Sequence, residues 1–154
     1  MRDKQTATSG LEGHLGYWLR FVSNHVSQAF ARKVQEQGVT VAEWVVLRAL
    51  FDVTEINASG LVERVGLTKG AVSKLVERLV NKGLMNSMTD EQDRRVQRLK
   101  LTSAGRKLVP VLAALADKND EEFFGHLNIM QRKEVTGVLQ EIVRRHGLKD
   151  VPVD

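Results

Sequence analysis

Apolar residues at Leu11, Leu15, Leu19, Val22, Val26, Phe30 and Val34 fall three or four positions apart, which places one stripe along one side of a long helix. Ser9 with Glu12 has the spacing of a capping box at its start, and Gly38 can take the left-handed conformation that stops it. Thr40 with Glu43 repeats the start signal and opens a second helix, carrying Trp44 and Val45, to about Phe51. A short third helix is predicted from Asn57, with Leu61, Val62 and Val65 inward and Gly66 at its end. Thr68 then caps a fourth helix, with Val72, Leu75, Val76 and Leu79 on one face, that ends near Gly83. Two short helices joined by a tight turn containing glycine form a helix-turn-helix pattern.

After Leu84 the period changes. Arg98, Leu99, Lys100 and Leu101 alternate polar with apolar, as a half-buried strand does, and Leu84 to Met88 can pair with them. The connection from Thr89 to Arg95 is polar, charged and long for a hairpin, which suits a projecting wing. A fifth helix is predicted from Thr102, with Leu108, Leu112, Leu115 and Phe123 on it and a bend expected at Pro110. Asn128 with Gln131 caps a sixth, whose stripe is Val135, Val138, Leu139 and Ile142 and whose end is Gly147. The predicted fold class is therefore mainly α with a small β-hairpin wing: a winged helix-turn-helix flanked by long N- and C-terminal helices.

Composition narrows the function. The chain has 154 residues, 42% hydrophobic and 27% charged, which fits one globular domain. With no cysteine, disulfides, thiolate zinc sites and thiol chemistry are excluded. The apolar run from Leu108 to Ala116 contains Pro110 and is about half the length of a membrane span. Met1 to Gly10 is polar and does not read as a signal peptide, so a cytoplasmic protein is expected. The four histidines (14, 25, 126 and 146) are dispersed, with no pair spaced four apart for a metal. No phosphate-cradling glycine loop, His-Glu-x-x-His run or activated nucleophile is found, so no catalytic residue, metal or cofactor is expected.

The net charge of +4 is unevenly placed. Between Thr68 and Lys107 there are ten Lys or Arg and four acids, a net of +6, which leaves −2 for the rest of the chain. A local basic region favours a polyanion by neutralising phosphates and releasing their counterions. The fourth helix offers Thr68, Lys69, Gly70, Ser73, Lys74 and Arg78 outward. Such a surface can enter a major groove of about 12 Å, where Lys reaches guanine acceptors and Ser several base edges, and Gly70 would permit close backbone approach.

In the order of its elements, and from about Leu11 to Gly147, the chain resembles the MarR family of bacterial regulators. The strongest motif is the wing: Asp90, Asp93, Arg94 and Arg95, followed by Leu99, Leu101, Thr102 and Gly105, are similar to the family's D-x-x-D-R-R…L-x-L-T-x-x-G run. Thr40 to Leu50, with Trp44 and Leu47, is similar to its second helix, with Val41 and Glu43 in place of more usual residues. The resemblance implies a DNA-binding unit at 40–101 and dimerisation helices at 11–38 and 102–147. It implies the fourth helix in the major groove and Arg95 in the minor groove, oriented by Asp93. It further implies a homodimer on a pseudo-palindromic double-stranded operator, repression as the commoner mode, and release by a small aromatic acid or phenol. His14, Tyr17, Trp18, Trp44 and Arg48 could line the pocket for that effector. The alternative is a winged-helix protein-interaction module without specific DNA binding; the basic residues of the fourth helix and wing argue against it.

Overall fold

A computed structural model of the chain describes residues 8–149; residues 1–7, which are most of the polar N-terminal stretch, and 150–154 lie outside it. The six expected helices are present: α1 (Leu15–Gln35), α2 (Val41–Phe51), α3 (Ala58–Val65), α4 (Lys69–Asn81), α5 (Ser103–Phe124) and α6 (Ile129–His146). Five of them start where a side chain takes up an N–H group the helix cannot satisfy itself. Thr40, Asn57, Thr68, Thr102 and Asn128 each accept from the backbone N–H three residues on, and at Thr40 and Asn128 the reciprocal bond from Glu43 or Gln131 completes a capping box.

The first helix departs from expectation. Ser9 and Glu12 form no capping box; Leu11–Gly13 is a single tight turn, His14 is extended, and the α-helix begins only at Leu15 without a side-chain cap. Glycines at 10, 13 and 16 weaken a helix over this stretch. The local bonds are met otherwise: His14 Nδ1–H donates to the Gly10 carbonyl at 3.0 Å and the Trp18 indole to that of Glu12 at 2.9 Å. α5 is one helix from Ser103 to Phe124 with Pro110 inside it.

The sheet holds one strand the period did not show. β1 (Ile56–Asn57) joins β2 (Met85–Thr89) and β3 (Gln97–Leu101) in the antiparallel order β1-β3-β2, with Ile56 opposite Leu99 and Met85 opposite Leu101. The core lies between this sheet and the helices, with Leu47, Leu50, Leu61, Leu79, Met85, Leu99 and Leu112 fully buried. Thr102 and Gly105 join hairpin to α5. The Thr102 hydroxyl donates to the Gly83 carbonyl at 2.7 Å while accepting from the Gly105 N–H, and a Cβ on Gly105 would collide with the Leu84 carbonyl.

α6 buries none of its residues within one chain. Its stripe faces the start of α1 across a groove of about 360 Å³ lined by Leu15, Leu19, Val135, Val138, Leu139 and Ile142 among others. Among the described residues no helix is long and apolar enough to cross a membrane, and no group of His, Asp and Glu is placed to hold a metal ion.

Candidate nucleic-acid interface

α4 is sorted by its own sequence. Val72, Leu75, Val76 and Leu79 are buried, so Thr68, Lys69, Gly70, Ser73, Lys74 and Arg78 are all left exposed. Gly66, at φ +68°, makes the turn between α3 and α4. A Cβ on Gly70 would meet nothing within 4 Å, so the protein's own packing does not require glycine there. Open space on the polar side of the helix leaves room for another molecule's backbone.

The wing is tied internally at each step. The Asp90 N–H donates to the Val96 carbonyl at 2.9 Å and the Val96 N–H to that of Asp93, also at 2.9 Å. Asp90 Oδ1 accepts from the Gln92 and Asp93 N–H groups at 2.7 and 3.2 Å. Asp93 Oδ1 then accepts from the Arg95 N–H at 3.0 Å and from its guanidinium Nε at 3.2 Å. The Arg95 side chain is nonetheless 91% exposed, so the carboxylate directs the guanidinium without covering it. Arg94 is exposed beside it.

The two elements face each other. A hollow of about 250 Å³ is lined by Lys69, Ser73 and Val76 of α4, Ala58 and Val62 of α3, and Arg95, Gln97 and Leu99 of the wing, with Val72 at its base. Of the nine residues expected to contact DNA, Lys69, Ser73 and Arg95 thus line one concavity. Gly70, Lys74 and Arg78 lie on the same exposed side of α4.

Two acids and one arginine at the wing base were not picked out as site residues from the sequence. Arg98 Nε reaches Asp90 Oδ2 at 2.5 Å and its Nη1 reaches Glu55 Oε1 at 2.5 Å. The Arg98 bond, followed by the two backbone N–H groups, holds the Asp90 carboxyl below the usual carboxylate range. Glu55 and then Asp90 raise Arg98 further above its ordinary value, so its charge is permanent. The motif contained Asp90 and could have drawn attention to it, but no local spacing could have paired Arg98 with Glu55.

The residues considered for a small ligand separate into two groups in one chain. Trp44 and Arg48 line a hollow of about 460 Å³ with Val45, Ala49, Asp52, Arg64 and Val65, and Arg48 pairs with Asp52 at 2.8 Å. His14, Tyr17 and Trp18 sit at the start of α1, where Tyr17 packs edge-on to Trp18 with ring centroids 5.2 Å apart. Neither they nor any other part of α1 line the Trp44 hollow.

A basic recognition-type helix, a projecting hairpin and flanking long helices define the winged helix-turn-helix class of DNA-binding proteins. The MarR family model matches residues 39–96. The transcriptional regulator HosA of Escherichia coli O157:H7 is 30% identical over 95 residues, covering 62% of this chain and 70% of that protein. The HTH-type transcriptional regulator SarZ of Staphylococcus haemolyticus is 28% identical over 115 residues, covering 75% and 78%. A structure of Bordetella bronchiseptica BpsR, which concerns regulation of its DNA binding by 6-hydroxynicotinic acid, aligns with 26% identity and a TM-score of 0.76, covering 88% of this chain and 97% of that one. The S. aureus MepR–DNA complex shares the fold, with a TM-score of 0.77 at 21% identity over 86% and 98% of the chains. The chain belongs to the MarR family and is a DNA-binding transcriptional regulator. Its relatives are regulators rather than enzymes.

Proposed function

We propose that two copies of this chain bind a pseudo-palindromic operator as a repressor, with half-sites about one helical turn apart so that paired α4 helices meet successive major grooves. Residues 40–101 form the DNA-reading unit; 11–38 and 102–147 supply the helices that join the copies. Thr68, Lys69, Gly70, Ser73, Lys74 and Arg78 face the major groove. Arg95 enters the adjoining minor groove, held by Asp93, with Arg94 beside it on the loop. The observation that carries this is the shared concavity lined by Lys69 and Ser73 on one side and Arg95 on the other. A guanidinium held by its carboxylate arrives ordered at a groove whose negative potential rises as it narrows.

Self-association rests on the α1–α6 groove. Val138 is 53% exposed and Val135 49%, and a two-fold partner presenting the same stripe would bury both.

Release by a small aromatic acid or phenol is assigned to the hollow of Trp44 and Arg48, where Arg64 adds a second guanidinium and the indole an apolar wall. His14, Tyr17 and Trp18 lie apart from it in one chain and would contribute only from elsewhere in an assembly. In the relative BpsR a hydroxylated aromatic acid, 6-hydroxynicotinic acid, regulates DNA binding, which favours that ligand class.

Fluorescence anisotropy on duplexes selected by the protein from a random pool tests the DNA assignment. Lys74→Ala should cost about 1–3 kcal/mol and relax preference at one position per half-site if Lys74 reads a base, or leave preference intact with a shallower salt slope if it contacts phosphate. Arg95→Ala should lose most where the flanks are A·T-rich. Normal affinity of Arg95→Ala on every duplex removes the wing from the interface.

A further inference from the structure

We infer that Arg98 is a positioning residue for operator recognition: it locks the wing, and through it Arg95, to the segment that joins α2 to β1. This rests on the assignment of Arg95 to DNA contact made above. A continuous chain of bonds leads from the body of the protein to the tip. Arg98 donates from Nη1 to Glu55 and from Nε to Asp90, the Asp93 N–H donates to Asp90 Oδ1, and the Arg95 backbone and guanidinium donate to Asp93 Oδ1. Breaking any earlier link leaves Arg95 its own carboxylate but frees the loop that carries both.

The fold makes such a tie necessary. β1 contributes only two pairs to the sheet, Ile56 with Leu99 and Asn57 with Arg98, and β2 pairs with β3 only as far as Thr89 and Gln97. Beyond those pairs the loop from Asp90 to Val96 has two backbone bonds, from the Asp90 N–H to the Val96 carbonyl and from the Val96 N–H to the Asp93 carbonyl, and the bonds accepted by the two aspartate side chains. The Arg98 fork spans both edges of β3, which a lysine's single ammonium cannot do with the same planar geometry. Segment 51–55 is itself held: Arg106 of α5 donates to the Phe51 and Val53 carbonyls at 3.4 and 3.0 Å. The wing is therefore referenced, through one arginine, to the junction of α2 and α5.

Electrostatics alone demands the opposite behaviour, which makes the inference testable. Glu55, Asp90 and Arg98 together carry a net negative charge beside a surface that meets phosphates. Neutralising either acid should then tighten DNA binding if charge is all that matters. If the acids act by holding Arg98 and the loop, neutralising them weakens it.

The test uses the full chain and a duplex selected from a random pool by the wild-type protein, read by anisotropy at fixed salt. Asp90→Asn, Glu55→Gln and Arg98→Ala should each weaken binding about three- to tenfold, and Arg98→Ala should cost little more when Arg95 is already Ala. The losses should fall on the same flanking positions as for Arg95→Ala, with the preference read by α4 unchanged; a general loss of stability would not sort by position. Amide exchange at Gln92, Asp93 and Arg95 should quicken in Arg98→Ala while that of α4 stays as in wild type. Acid variants that bind as tightly as wild type or tighter overturn the inference. So do Arg98 and Arg95 losses that multiply in the double variant, which would make Arg98 a separate phosphate contact. If Arg95→Ala binds normally, the wing assignment fails first, and the inference with it.

Discussion

Lys82, directly after α4, adds a polar tie between the end of that helix and the start of α2 to the apolar packing of Val72, Leu75, Val76 and Leu79. Its ammonium donates to Glu43 Oε2 at 2.7 Å and to the Gly38 carbonyl at 2.8 Å, bridging the end of α4 to the start of α2. Glu43 is only 1% exposed, and the same oxygen accepts the Thr40 N–H at 3.0 Å. Lys82→Met would leave the carboxylate with that single donor. Removing one partner of a fully buried pair costs about 3–5 kcal/mol. The Lys82 side chain is 38% exposed, so water can partly take its place, and about 2 kcal/mol is the expected loss. Glu43→Gln keeps an acceptor for Thr40 and removes the charge that needs the ammonium; about 1 kcal/mol is expected. In the double variant nothing charged is left unpaired, so its loss should fall short of the sum of the two.

Urea unfolding followed by circular dichroism, at one fixed protein concentration because association adds to apparent stability, gives the three values. For a chain of this size Lys82→Met should lower Tm by about 4–8 °C. Lys82→Met unfolding within about 0.5 kcal/mol of wild type, or Glu43→Gln proving the more damaging, would refute the account of Glu43 as a carboxylate dependent on Lys82.

Gly105→Ala should destabilise by about 2–3 kcal/mol in the same assay, because its Cβ has no room against the Leu84 carbonyl and Leu101. Gly70→Ala should act in opposite directions on two measurements: unfolding free energy rises by about 0.5–1 kcal/mol, since the site is open and helical, while operator affinity falls if DNA backbone occupies the space a methyl would fill. Val138→Asp should leave helix content unchanged but shift sedimentation toward monomer and lower operator affinity; an unchanged dimer would place the self-association face elsewhere.

What could be read from the sequence, and what could not, divides by distance along the chain. Caps are legible because a side chain bonds to backbone three residues away, so Thr40, Asn57, Thr68, Thr102 and Asn128 marked their helices correctly. Ser9 and Glu12 show the same pattern and fail, because glycines on either side remove the helix that the cap would serve. β1 escaped notice since two residues cannot show an alternation. The buried face of α4 gave its exposed face by subtraction, and Asp93 with Arg95 lay within one loop. The Arg98–Glu55 bond spans 43 positions and rests on strand register, which no local spacing encodes. For the same reason Trp44 and Tyr17 could each be assigned to a helix face without showing that their faces lie apart.

If the Arg48 hollow holds the effector, as proposed above, the junction at residues 51–55 bears on what that ligand must accomplish. Arg48 and Arg106 both lie over the Phe51 ring, at 5.7 and 6.0 Å from its centroid, and Asp52 accepts from Arg48. Three arginines, from α2, α5 and β3, thus converge on one short segment when Arg98 at Glu55 is included. A ligand that binds two spacings of the DNA-reading units equally well shifts nothing, whatever its affinity. A 100-fold loss of operator affinity needs about 2.7 kcal/mol of differential binding, and two hollows per dimer would divide it into about 1.4 kcal/mol each. That is the scale of one charge-assisted hydrogen bond gained or lost. Arg48 and Asp52 are both solvent-exposed, so exchanging one carboxylate for another on Arg48 supplies less than about 1 kcal/mol. The ligand must therefore also gain a contact, such as one to Arg64, in one spacing and not in the other.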